Sequence, residues 1–294
     1  MIKIVSGFSW PSGSTVALVN LCNQFNSKGY DCTLYGSDNW QLDKCKSAKI
    51  SDFHPEKGDI IIVHNINLFS VSELYNLQAK IAPPHKKRWI KAIINRILKD
   101  LPGSRKLDGI KLILTCQENE LFPLKGLKTS LFDKIHYQNE LQREYHKIQR
   151  PYFLCPNFID DLTKSESKPE KIAGVIGSIR RENKTDLSIE KALQDGMNKV
   201  IIYGFLRDPI YYYNKIEPLA KKYPEKVKFA GFIDNKQKIY DSISDVYSSS
   251  IKPWSFVEEE CKLTGTNYHG INSSKRFELT QEEIFKIWKK ELEL

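Results

Sequence analysis

Short apolar runs recur along this chain, and most stop at a glycine or a polar residue. Runs of about four to six residues, punctuated in this way, predict strands buried in a parallel sheet. Ile2–Val5, Cys32–Tyr35, Asp59–Val63, Lys111–Thr115, Ile135–Gln138 and Tyr152–Cys155 are such runs in the first half. Between them, Thr15–Asn26 sets Val16, Leu18, Val19, Leu21, Cys22 and Phe25 at helical spacing, and Glu140–Gln149 reads as another helix. The second half repeats the alternation. Strands are predicted at Ile172–Ile176, Lys199–Tyr203, Val227–Phe229 (running to Gly231) and Asp245–Ile251, with helices at Tyr211–Lys222 and Lys236–Ser244.

Strand, glycine loop, helix, strand is the opening of a doubly wound sheet. The pattern predicts an α/β chain of two Rossmann-like domains, and 294 residues are enough for two cores. The first domain covers residues 1–160, the polar, lysine-rich stretch 161–171 is a linker, and the second domain covers residues 172–278. A capping box, Thr280-x-x-Glu283, opens a C-terminal helix over residues 279–294.

Charge narrows the partners. Lysine and arginine number 45 against 36 acids, a formal charge of +9 that favours phosphates, nucleic acid or an acidic membrane surface. One stretch concentrates that charge: Lys86–Leu101 carries an apolar face through Trp89, Ile90, Ile93 and Ile94, with Lys87, Arg88 and Lys91 on the polar side. Such a helix suits an anionic bilayer or a bilayer-held acceptor, and it equally suits packing on the domain with its basic face in water. No apolar run reaches spanning length and no signal peptide precedes the first strand, so a cytoplasmic protein is expected, at most peripheral on the cytosolic face of a membrane. The six cysteines are widely spaced, which favours buried free thiols over disulfides or zinc ligands.

The stretch richest in candidate chemistry is Ile172–Ala192. A strand breaking at Gly177 into a helix leaves backbone N–H groups and a positive dipole end, beside which stand Arg180, Arg181 and Lys184. That composition fits a diphosphate grip, and it also fits an ordinary connection with solvated basic residues. The loop at Gly13-Ser14 stands at the ligand-binding edge of its sheet but lacks G-x-G-x-x-G, which disfavours nicotinamide and flavin cofactors. His64 ends one strand, as a cap or as a base. Val257–Gly270 reads as a glutamate triplet followed by a small-residue turn, either solvated surface or part of a site.

Taken together these segments resemble the GT-B glycosyltransferases, nearest to the large retaining group numbered family four. Pro11, Gly13 and Ser14 are similar to its first loop, and Asp59–Asn65 to its strand ending in histidine and asparagine. Pro156-Asn157-Phe158-Ile159-Asp160 resembles the motif closing its first domain, with Phe158 in place of glycine. Gly177 through Lys184 resembles its diphosphate-holding turn, Val227–Gly231 its phenylalanine-x-glycine strand, and Ser250–Leu263 the run before its carboxylates. The sequence departs from that pattern where Asn267 takes the second glutamate's place, Gln117 replaces a donor-contacting histidine, and much of the strand and helix after Gly270 is missing.

The resemblance implies transfer of a sugar from a nucleotide-diphosphate donor, a co-substrate, with no cofactor and no metal; no D-x-D site is present. It implies donor binding by Gly13, Ser14, Gly177, Arg180, Arg181, Lys184 and Glu260, with backbone N–H groups from the Thr264-Gly265-Thr266 turn. Glu259 is the catalytic carboxylate on a retaining reading; Glu118 and His64 are the candidate bases on an inverting one. The implied acceptor is a cell-surface polysaccharide or lipid-linked glycan precursor, with Lys87, Arg88, Trp89, Lys91 and Ile93 at the membrane or acceptor. Two alternatives remain: a phage-type DNA-modifying glucosyltransferase, whose binding would fall steeply with salt, and a non-catalytic nucleotide-binding module of the same fold.

Overall fold

A computed structural model describes residues 1–7, 12–36, 42–65, 69–82, 106–117, 129–249, 255–270 and 279–294. The chain divides into two compact units, Met1–Phe158 with Arg276–Leu294, and Ile159–Lys275.

In the first unit, β1 (Ile2–Ser6), β2 (Cys32–Gly36), β3 (Ser47–Lys49), β4 (Ile60–His64), β5 (Lys111–Cys116), β6 (Lys134–Tyr137) and β7 (Tyr152–Leu154) form one sheet. Its order is β3-β2-β1-β4-β5-β6-β7, with every pairing parallel. Helices α1 (Gly13–Ser27), α2 (Val71–Ile81) and α3 (Glu140–His146) connect the strands. The apolar runs make these strands for a plain reason: with both faces covered, nearly every position must be apolar, and β1 is buried throughout. Helix α3 stops at His146, three residues before the predicted end, because Lys147 turns left-handed (φ 51°) and its N–H caps Arg143. The apolar runs above place neither the short edge strand β3 nor helix α2, although α2 opens on a capping box of Ser70 and Glu73.

The second unit holds β8 (Ile172–Ile176), β9 (Lys199–Tyr203), β10 (Val227–Gly231), β11 (Asp245–Ser248) and β12 (Asn267–Gly270). Their order is β10-β9-β8-β11-β12, again all parallel. Helix α4 (Thr185–Gln194) follows β8. The predicted helix over 211–222 is a composite of α5 (Pro209–Tyr211), a π-helical turn (Tyr212–Ile216) and α6 (Glu217–Lys222). Helix α7 (Lys236–Asp241) and strand β11 end earlier than the apolar pattern implied. Two corrections are larger. The glutamate triplet lies within α8 (Phe256–Thr264), and the following residues form strand β12.

The last helix, α9 (Gln281–Leu292), belongs to the first unit. Thr280 and Glu283 form the capping box read from the sequence. Its Ile284, Phe285, Trp288 and Leu292 are buried in the first unit's core, where the Trp288 ring lies 5.0 Å from Phe153 and 4.5 Å from His136. Each such side chain contributes about 1.5–3 kcal/mol on burial. Lys134 holds Glu291 at 2.9 Å, and Lys111 donates to the Leu292 carbonyl at 3.0 Å, a cation at the helix's negative end. All six cysteines are free thiols, five of them buried. Among the described residues no helix is long and apolar enough to cross a membrane.

Candidate functional site

Open parallel sheets bind ligands outside their carboxyl ends, where the strand order reverses. That reversal falls between β1 and β4 in the first unit and between β8 and β11 in the second.

Among the described residues, the first unit's reversal point carries polar side chains paired with one another. Ser6 and His64 face each other in register, with Ser6 Oγ 2.9 Å from His64 Nδ1. His64 is fully buried, and burial pushes its pKa down to about 3. A general base must reach the proton it takes. His64 therefore belongs to the strand-end core, which corrects the base role read from the sequence. Farther along the same edge, Gln117 Oε1 accepts from Gln138 Nε2 (2.7 Å) and Asn157 Nδ2 (2.8 Å), while its Nε2 donates to Thr115 Oγ1 (2.9 Å). Its amide ties β5, β6 and the Pro156–Asp160 segment together. Thr115 in turn meets His136 Nδ1 at 2.8 Å, and His136 Nε2 lies 2.8 Å from the Cys155 carbonyl. Gly13 and Ser14 form the first turn of α1, where Ser12 Oγ accepts from the Thr15 N–H at 3.3 Å. Ser14 is buried. Glu118 and the basic stretch with Lys87, Arg88, Trp89, Lys91 and Ile93 lie outside the described residues.

At the second unit's edge the basic residues between β8 and α4 are exposed. Strand β8 ends at Gly177 (φ 140°), whose N–H donates to the Tyr203 carbonyl at 2.8 Å. Opposite stands Gly204 (φ 151°), where an added Cβ would lie 1.9 Å from the Gly177 carbonyl oxygen. Two glycines are what let the strand ends close up here. Ile179 then bonds the Phe205 carbonyl at 2.8 Å, and Asn183 Nδ2 fastens the loop to the Ser178 carbonyl at 2.5 Å. The loop held this way presents Arg180, Arg181 and Lys184, all exposed; Glu182 is 4.0 Å from Arg180. After β9 and β10, the rings of Phe205 and Phe232 stack at 4.2 Å.

Lys184 is left-handed (φ 49°) and opens α4 without a side-chain cap. One N–H the sequence reading left for an anion has a partner: Asp186 N–H donates to the Tyr211 hydroxyl at 3.1 Å, and that hydroxyl donates to Asp186 Oδ1 at 2.5 Å. Beside it is a cavity of about 370 Å³, whose lining includes Arg181, Lys184, Asn214 and Lys215. An oxyanion there meets three cationic side chains able to make charge-assisted bonds. Asn214 and Lys215 were not singled out in the sequence, since only the folding of the 209–222 helix against α4 brings them to this turn.

The carboxylate segment is corrected most. Glu260 is buried, with Lys236 Nζ 2.5 Å from Oε1 and the Tyr240 hydroxyl donating to Oε2 at 2.7 Å. Lys236 also reaches Asp160 at 2.5 Å. Glu260 thus anchors α7 and α8 to the start of the second unit, and its oxygens are not free for donor hydroxyls. The Thr264-Gly265-Thr266 turn offers no N–H cradle: Gly265 N–H bonds the Lys262 carbonyl, Thr266 N–H bonds the Cys261 carbonyl, and both close the carboxyl end of α8. That end carries the negative dipole and repels a phosphate. Asn267 Nδ2 donates to Asp245 at 3.2 Å. Glu259 is the more accessible carboxylate, paired with Lys262 at 3.1 Å.

No family model matches the sequence, and no curated protein matches it either. The fold is two doubly wound parallel-sheet units in one chain, the architecture named GT-B, which solved structures share. Solved structures that share it include HepE of Anabaena in complex with UDP-glucose, with a TM-score of 0.62, 10% identity, and coverage of 93% of this chain and 80% of that one. An alpha-glucosyltransferase, AGT, in complex with UDP is similar over 99% of this chain and 90% of its own, with a TM-score of 0.63 and 11% identity. WaaB, a lipopolysaccharide outer core galactosyltransferase in its apo form, is similar with a TM-score of 0.54 and 12% identity, over 94% and 81%. At such identities the likeness establishes the fold.

Proposed function

We propose that this protein is a glycosyltransferase that takes a sugar from a nucleotide-diphosphate donor and passes it to an acceptor hydroxyl, with the donor held by the second unit. One observation carries the reading. The carboxyl edge of the second sheet presents Arg180, Arg181 and Lys184 around a glycine turn, in a fold shared with proteins solved with UDP-glucose and UDP.

The chemistry asks for positive charge at the departing diphosphate while the sugar acquires oxocarbenium character. Preorganised cations supply that without reorganisation at the moment of reaction. On this reading Arg180, Arg181 and Lys184 take the diphosphate, and Lys215 adds a fourth charge beside the cavity. Glu259 is the carboxylate left to meet the sugar. The reading keeps retention of configuration and takes charge stabilisation from these side chains, so a chelator is expected to leave turnover unchanged. The acceptor is a cell-surface polysaccharide or lipid-linked glycan precursor, reached by a cytoplasmic protein that associates peripherally with the membrane; WaaB, among the similar structures, acts in the lipopolysaccharide outer core.

A second reading, a nucleotide-binding module without turnover, is favoured by one fact. Glu260 and Asn267, at positions where the resemblance calls for donor contacts, are held by Lys236, Tyr240 and Asp245. A melting-point screen with UDP, GDP, CMP and dTDP, followed by donor turnover with sugars of the selected base, tests both. A selective rise with turnover supports the enzyme. A rise without turnover for any donor supports the module, and no rise with any nucleotide defeats both.

A further inference from the structure

The second unit has a groove that the donor reading does not use. It runs between α4 and the ends of β11 and β12, encloses about 550 Å³, and is lined by Glu190, Lys191, Gln194, Ser249 and His269 among others. His269 Nε2 lies 2.7 Å from Asp245 Oδ1. Burial alone would raise the Asp245 carboxyl, but bonds from Ser244, His269 and Asn267 hold it below the usual carboxylate range, so it stays ionised. An ionised carboxylate only accepts hydrogen bonds. In the neutral form of the ring the proton therefore sits on Nε2, and Nδ1 keeps its lone pair. Among the described residues no protein group engages Nδ1, and the side chain is 41% exposed. Behind it the buried Tyr247 ring stacks at 4.5 Å and 13°, which fixes the imidazole plane.

The charges around the groove select against anions. Lys191 is paired with Asp195 at 2.6 Å, and Glu190 adds an acid. Ser249 is held in place, its N–H donating to Ser188 Oγ at 2.9 Å, with the two hydroxyls 3.1 Å apart. The remaining polar groups, Gln194, Ser249 and an imidazole lone pair, match hydroxyl groups that both donate and accept.

We infer that this groove binds a neutral oligosaccharide, one hydroxyl of which donates to His269 Nδ1. The groove adjoins the proposed donor cavity, Leu187 lining both, and is tested without nucleotide. The full chain, labelled for histidine NMR, is titrated separately with maltohexaose, cellohexaose and chitohexaose. One of them is expected to shift the His269 ring signals. His269→Ala should weaken that binding roughly tenfold, the scale of one well-placed hydrogen bond, in a variant that still unfolds cooperatively. The inference fails if none of the three sugars shifts His269 up to about 10 mM, the scale of weak binding, or if His269→Ala binds equally well. It fails equally if inorganic phosphate shifts the ring while the sugars do not. Nucleotide binding in the melting-point screen is unaffected by any of these outcomes, so the two proposals fail separately.

Discussion

The two sheets share a topology at their reversal points and use it in opposite ways. In the first unit the described strand ends carry polar side chains paired with one another: Ser6 with His64, Thr115 with His136, and Gln117 with Gln138 and Asn157. In the second unit a glycine turn pushes three cations outward, with Glu182 4.0 Å from Arg180 and Asp186 on the cavity wall beside Arg181 and Lys184. The difference teaches that a carboxyl edge becomes a binding edge when its polar groups are left to a ligand. Neighbouring strands that supply the partners turn the same edge into structure.

The largest expected effect separating the two is acid lability. Burial holds His64 neutral, with its pKa pushed down to about 3, and burial likewise pushes His136 down to about 4, against a backbone bond from Cys155. Both sit in the first unit. Their folded values lie below the unfolded value of about 6.5, so the unfolded chain binds more protons and stability falls as pH drops through 6.5 toward 4. Each histidine costs about 1.4 kcal/mol per pH unit in that window, several kcal/mol together by pH 4.5. Urea midpoints at pH 7 and pH 5 measure this, and an unchanged midpoint would break the contrast.

Next in size is the double variant Arg181→Ala, Lys184→Ala. Two charge-assisted bonds are worth about 1.5–3 kcal/mol each, so affinity for the selected nucleoside diphosphate should drop at least a hundredfold by calorimetry. The melting point without nucleotide should hold, since both side chains are exposed. Gly204→Ala comes third. Its Cβ meets the Gly177 carbonyl, so the second unit should lose about 1–3 kcal/mol and nucleotide affinity should fall with it. The smallest is Gln117→Ala, expected to cost about 1–2 kcal/mol by leaving buried amides of Gln138 and Asn157 short of a partner. It should leave nucleotide binding intact, and a loss of binding there would erase the distinction between the edges.

Much of this architecture was readable residue by residue. The apolar runs at Ile2–Val5, Lys111–Thr115, Ile172–Ile176 and Lys199–Tyr203 are strands, and Gly177 ends its strand where expected. Such features depend on local rules, because buried strands need continuous apolar sequence and sharp turns need glycine. The carboxylate segment shows where local rules run out. Three glutamates beside a Thr-Gly-Thr turn look like exposed chemistry, yet Glu260 is buried by Lys236 and Tyr240, 24 and 20 positions away.

Periodicity and punctuation alone settled that this chain alternates strands and helices around two parallel sheets, because backbone geometry ties those patterns to a few neighbouring residues. Folding in three dimensions settled which polar groups are engaged: His64 beside Ser6, Gln117 among its amides, Tyr211 at the start of α4, His269 against Asp245. It also returned α9 to the first unit's core, more than 120 positions from Cys155, whose thiol meets Ile284. The reason is physical. Burial and hydrogen-bond partnership are supplied by residues distant in the chain, and no local pattern records who they are.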